Sequence, residues 1–109
     1  AAAAVFAMRS PYWYIGTKLP MSPTPLIVER VQTGVRIEKN LLKVMKALAD
    51  SLDLTLGDLL EGVVLHAFEG KAPFSPSTRK KIAELRKVFG LTLTAADAHH
   101  LKEKSRARK

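Results

Sequence analysis

The side chains of this chain best suited to chemistry are its cations, and the chemistry they suit is recognition of a polyanion. Lys and Arg number 18 against 10 Asp and Glu, a formal charge of +8 over 109 residues. The excess is uneven. Residues 29–70 hold five basic and seven acidic groups, whereas residues 71–109 hold eleven basic and three acidic. Arg79, Lys80, Lys81, Arg86 and Lys87 crowd one short stretch. Such a segment favours polyanions, nucleic acid above all, although high charge can also simply keep a small protein in solution.

Other chemistries find little footing. His66, His99 and His100 are the only imidazoles, and there is no Cys. Neighbouring histidines on a helix point to different sides, so no metal site and no cofactor are expected. No nucleophile–base pair, Gly-rich phosphate loop or HExxH stands in the sequence, and an enzyme is not expected. Without Cys, disulfides and thiolate metal sites are excluded, and a cytoplasmic, nucleoid-associated location is expected. No apolar run reaches the roughly 18–20 residues that span a membrane. The opening AAAAVFAM is too short for a secretory core and has no basic residue before it.

The elements that would position these cations can be read from periodicity. Residues 1–28 form an irregular arm, broken by Pro11, Pro20, Pro23 and Pro25. Met8 and Met21 could each be a true start, which would make part of the arm upstream sequence rather than functional protein. Its aromatic cluster, Tyr12, Trp13 and Tyr14, could pack on a dimer or on a partner, or be disordered. From Arg30 to Glu38 the chain alternates: Val35 and Ile37 on one face, Arg30, Gln32, Gly34 and Arg36 on the other. That period of two predicts a half-buried strand. A lone strand lacks backbone partners, so the expectation is pairing with a second copy. An edge strand of an unrelated α+β domain is the competing reading.

Two amphipathic helices should follow. Over 40–51, Leu41, Val44, Met45, Leu48, Ala49 and Leu52 form one apolar stripe. Thr55, with Asp58 three residues on, should cap a second helix ending near Glu69 and closed by Gly70. Its apolar face is broad: Leu56, Leu59, Leu60, Val63, Val64, Ala67 and Phe68, as at the centre of a dimer. The core of that dimer would be Val35, Ile37, Leu59, Leu60, Val63, Val64 and Phe68. After the linker KAPFSP, Ser75 or Ser77 should cap a third helix with Pro76 in its first turn, stopped by Gly90. Thr94 and Asp97 should start a fourth, ending near Lys104. The domain plan is then an arm (1–28), a core (29–70), a C-terminal helical extension (74–104) and a basic tail (105–109). ALADSLDLTLGD (47–58) and ELRKVFGLTLTA (84–95) also echo each other at an offset of 37, through shared turn chemistry or a worn duplication.

With these residues in view, 32–70 resembles the ribbon–helix–helix DNA-binding family, the Arc and MetJ class, over about a third of the chain. The resemblance implies a mostly α fold with one short β-strand and two helices. It implies an intertwined homodimer joined through a two-stranded antiparallel ribbon, here with an added C-terminal helical pair. It implies that Gln32, Gly34 and Arg36 read bases in the major groove: Arg36 a guanine edge, Gln32 an adenine edge, and Gly34 nothing directly. It implies phosphate binding at the amides of Leu56 and Gly57 under the Thr55 cap, with Arg30 in support. Lys80 and Lys81 of the third helix would add backbone contacts, unless that basic face is merely solvated or docks an acidic partner. The family's buried charged triad falls on Leu54, Leu59 and Val63, its Pro before the first helix on Glu38, and its turn Gly on Asp53.

The expected function is sequence-specific binding of double-stranded DNA by a homodimeric transcriptional repressor, with tandem dimers possible on a long operator. The alternatives are an antitoxin or plasmid-maintenance protein whose C-terminal helices bind a partner protein, or a helical interaction module without specific DNA binding. None involves a membrane.

Overall fold

The computed structural model describes residues 14–15 and 26–103. Three helices follow one another there: α1 (Lys39–Ser51), α2 (Leu56–Phe68) and α3 (Pro76–Phe89), then a single 3-10 turn at Ala95–Asp97. Among the described residues, no helix is long and apolar enough to cross a membrane.

Each helix starts on a side-chain cap. The Leu41 N–H donates to the Glu38 carboxylate at 2.7 Å, the Asp58 N–H to the Thr55 hydroxyl at 3.1 Å, and the Thr78 N–H to the Ser75 hydroxyl at 3.2 Å. Each bond satisfies an amide that the first turn leaves without a helical partner. Glu38 is thus a cap that also places negative charge at the positive helix end.

Each helix also ends the same way. A left-handed residue follows it: Asp53 (φ 59), Gly70 (φ 68) and Gly90 (φ 68). The next N–H then closes on the carbonyl five residues back: Leu54 on Ala49 (2.8 Å), Lys71 on His66 (2.9 Å) and Leu91 on Arg86 (2.9 Å). This is the bond by which a left-handed cap satisfies terminal carbonyls. After α1 and α3 the closing residue is a leucine turned inward, Leu54 and Leu91. The echo between 47–58 and 84–95 is therefore cap chemistry: Ala49, Asp53 and Leu54 play the parts of Arg86, Gly90 and Leu91.

The core is built around α1, which packs against both α2 and α3. Val44, Leu48 and Ala49 of α1 and Leu59 of α2 are buried, Leu59 most completely at 2 % exposure. Met45, Leu52, Leu54, Val63, Phe74, Ile82 and Leu85 close around the cluster. Ile82 and Leu85 belong to α3, so the third helix completes this core. The arm contributes as well. Ile15 is buried, and its N–H donates to the Pro73 carbonyl at 2.8 Å. Its side chain lies over Gly62 of α2, where a Cβ would come within 2.9 Å of Ile15 Cδ1. Only a residue without a side chain allows that approach.

Of the residues expected at a dimer core, Leu59 is buried within one chain, Val63 packs beside it, Ile37 and Leu60 are half-buried, and Val35, Val64 and Phe68 are exposed. Two sequence expectations are corrected. First, there is no β-strand among the described residues: 26–38 is irregular, and the ribbon of the ribbon–helix–helix plan is not seen. Strand structure exists only where backbone groups pair across chains or segments, and this alternating stretch finds no such partner among the described residues. Second, the C-terminal helical pair is one helix and one short turn. The Thr94 N–H donates to the Asp97 carboxylate at 2.8 Å, so the capping box forms as expected. The helix still stops, because AADAHHLKEK has no apolar stripe to bury and a short helix without burial is marginal. His99, at φ 69, turns the chain away.

Two stability outcomes follow from this packing. Leu59→Ala should cost about 2–4 kcal/mol in denaturant unfolding, since Leu59 has no room to relax into. Asp53→Gly should stabilise by about 0.5–1 kcal/mol, raising the melting temperature, because it removes both a left-handed Cβ and a negative charge at the α1 C-terminus.

Candidate nucleic-acid interface

The arginines singled out by the sequence are both exposed and both engaged. Arg30 wraps its guanidinium around two carboxylates of α2. Its Nε and Nη2 donate to the two Glu61 oxygens, each at 2.8 Å, and Nη2 also reaches Asp58 Oδ1 at 3.1 Å. Asp58 and Glu61 lie three apart on α2 and so share a face. Arg36 donates through Nε to Glu103 Oε1 at 3.0 Å and through Nη2 to Glu103 Oε2. Both are fork-to-carboxylate pairs, the geometry in which a guanidinium binds most specifically.

Each pair shifts its carboxylate in the same direction. The hydrogen bonds from Arg30 outweigh an opposing loss of solvation and, helped by its charge, hold Glu61 below the usual carboxylate range. The hydrogen bonds and then the charge of Arg36 do the same to Glu103. Both arginines are pushed further up from an already high value.

Arg30 is thereby carried to the first turns of α2, next to the expected phosphate site. There the Thr55 hydroxyl occupies the Asp58 amide, leaving those of Leu56 and Gly57 beneath the cap. The nearby Asp58 carboxylate, which would oppose an anion at those amides, is turned onto Arg30. Gln32, Gly34 and Arg36 are all exposed on the irregular 26–38 segment, and a Cβ on Gly34 would meet nothing within 4 Å.

Arg36 is placed against the chain that follows α3. With Ile37, Arg86, Leu93 and Leu101 it borders a cleft of about 520 Å³ near the C-terminal end of α3. Arg86 is tied down in that cleft by donating to the Leu93 carbonyl at 2.8 Å. Lys80, exposed, and Lys81, half-buried, lie near the start of α3, about 9 Å along the axis from Arg86 at helical rise. The structure thus brings Arg30 to the Thr55–Gly57 turn and Arg36 to the α3 C-terminus.

Sequence reasoning missed the partners of both arginines. Arg36 and Glu103 are 67 positions apart, and Arg30 and Glu61 31 apart, distances at which no periodicity operates. The histidines hold no cluster. His66 Nδ1–H donates to the Gly62 carbonyl at 2.7 Å on its own helix, and among the described residues no group of three or more candidate ligands could hold a metal ion. Of the aromatic trio only Tyr14, half-buried, lies within the described residues; Tyr12, Trp13 and the 105–109 tail lie outside them.

No protein-family model, no curated protein and no solved structure matches this chain.

The electrostatics set a pH outcome. A carboxylate whose folded pKa lies below its unfolded value stabilises the fold fully above the ordinary value of about 4.5, and that contribution is lost as pH falls through the lowered folded value. Carboxyl carbon titrations by NMR should therefore place the Glu61 and Glu103 midpoints below 4.5. Arg30→Gln should return only Glu61 toward the ordinary range, and Arg36→Gln only Glu103.

Proposed function

We propose that this chain is a double-stranded DNA-binding protein, acting as a homodimeric transcriptional regulator and specifically as a repressor. The observation that carries the reading is the exposure of Gln32, Gly34 and Arg36 together on one stretch, 26–37, for which no backbone hydrogen bond to the body of the protein is seen among the described residues. Such a segment is free to lie against a groove. Arg and Gln are the side chains that pair bidentately with guanine and adenine edges, and a glycine between them lets the backbone approach. Arg30, the amides of Leu56 and Gly57, and Lys80 and Lys81 would hold phosphates and fix register.

Charge supports the same partner. The α3 span holds five basic residues against one acidic, with Arg79, Lys80 and Lys87 exposed. Lys39, Lys43 and Lys46 of α1 are exposed as well. The acidic groups of α2, Asp58 and Glu61, are turned onto Arg30 rather than toward an incoming polyanion.

A second copy is the partner that best fits the remaining surface. Leu26, Ile27, Val28, Val31 and Val35 are exposed on the irregular segment, and Val64, Leu65 and Phe68 on α2, Ile27 at 94 % and Phe68 at 81 %. A small monomer rarely leaves apolar area on this scale open to water. One copy offers both an apolar segment and an apolar helix face, so two copies can each cover what the other exposes. An interface of about 800 Å² per partner is within the reach of so many large side chains. The helices after position 74 are a poorer basis for capturing a partner protein, because Ile82 and Leu85 are already committed to the core.

Selection from a random duplex library at about 0.15 M salt, where weak phosphate binding is partly suppressed, tests the function. Enrichment of an inverted repeat is the expected result, and Arg36→Ala should then weaken binding to that site on the order of tenfold or more while leaving residual non-specific affinity. Recovery of unenriched DNA would reject sequence reading, and recovery of none would reject DNA as the partner. Sedimentation equilibrium should give a dimer, and Phe68→Ser should shift it toward monomer.

A further inference from the structure

We infer that Glu103 is an intramolecular competitor for Arg36, a latch that keeps the base-reading guanidinium occupied until duplex DNA displaces it. The inference rests on the DNA-binding reading and adds regulation to the same site.

Three observations carry it. The first is geometric. Glu103 takes both Nε and Nη2 of Arg36 in a fork-to-fork pair, so one edge of the guanidinium is filled. A guanine offers its O6 and N7 to two donors of the same planar fork. Nε and Nη2 cannot serve both, and a carboxylate left beside the groove would also repel phosphate. The second is that the pair belongs to a wider closure. Residues 101–103 return to the 35–40 segment across a cleft of about 900 Å³, floored by Val35, Ile37, Leu91 and Leu93 with Leu101 on the returning side. Glu103 is therefore delivered to Arg36 by the path of the chain after α3. The third is that the closure is weakly held. Both partners are more than half exposed, 70 % for Arg36 and 57 % for Glu103, and Leu101 is half exposed too. An exposed ion pair contributes little to stability, which is the property a displaceable latch requires.

A latch lowers apparent affinity by the fraction of molecules that are open. The full chain and Glu103→Gln should be compared on a fixed mixed-sequence 24-bp duplex at about 0.15 M salt, beside Glu29→Gln as a charge control. Glu29 is exposed on the same segment and makes no ion pair among the described residues, so its substitution changes net charge without touching Arg36. Glu103→Gln should tighten binding about two- to fivefold beyond the Glu29→Gln control, the scale an exposed pair can shift. In an Arg36→Ala background the extra gain should vanish.

Proton–nitrogen spectra of the full chain without DNA give a readout independent of binding. Glu103→Gln should move the Arg36 Nε–H signal and leave that of Arg30 in place. An unmoved Arg36 signal would overturn the pairing itself. A moved signal with equal tightening in Glu103→Gln and Glu29→Gln would overturn the competition while leaving the DNA reading intact. A moved signal with no duplex bound by any variant would overturn both.

Discussion

Burial of one face of α1 is the constraint on which the rest of the molecule depends. Val44, Leu48 and Ala49 are buried as α1 packs against α2 on one side and α3 on the other, with Ile15, Leu54 and Phe74 closing around the cluster. In a chain this short, hydrophobic burial is scarce relative to conformational entropy, so each helix that reaches the core matters. That is why α3 is packed into the body instead of trailing as an appendage, and why Ile15 is drawn in from the arm over Gly62. The same packing uses up the apolar surface of α1 and leaves that of α2 half spent. Leu59 and Val63 face inward, whereas Val64, Leu65 and Phe68 face out.

The charged surface is organised by a second, weaker rule. Each arginine of the 26–38 segment is met by carboxylates from a different part of the chain: Arg30 by Asp58 and Glu61 of α2, Arg36 by Glu103 beyond α3. These pairs lie in water and do little for folding. They decide instead where two guanidinium groups rest when no polyanion is present. Lys39, Lys43 and Lys46 of α1 and Lys80 and Lys87 of α3 are exposed, so this positive charge lies on helices while the two arginines lie on an irregular segment.

Much of the helical framework was legible because its signals are local. A capping hydroxyl, a periodic apolar stripe and a left-handed stop act within a few residues, so Thr55, Gly70 and Gly90, and a cap at Ser75 or Ser77, could be placed from spacing alone. Asp53, which the resemblance set at a turn Gly, adopts φ 59. The strand over 30–38 was not legible, because alternation states only which side chains could share a face. Whether a ladder forms depends on a partner backbone, and the described chain offers none. The last expected helix failed from the opposite cause: its cap was correct, but a cap cannot replace an apolar face. Glu38, read as a departure from a family Pro, is the cap of α1.

The sequence by itself determined where the first three helices begin and end, the segregation of positive charge toward the C-terminal half, and the absence of cysteine chemistry, since these follow from residue type and near-neighbour spacing. Tertiary structure alone decided that α1 would be central, that Ile15 would join the core, and that Arg36 would meet Glu103. Those outcomes join residues far apart in the chain, and only the competition for limited burial and for exposed opposite charges selects among the possible pairings.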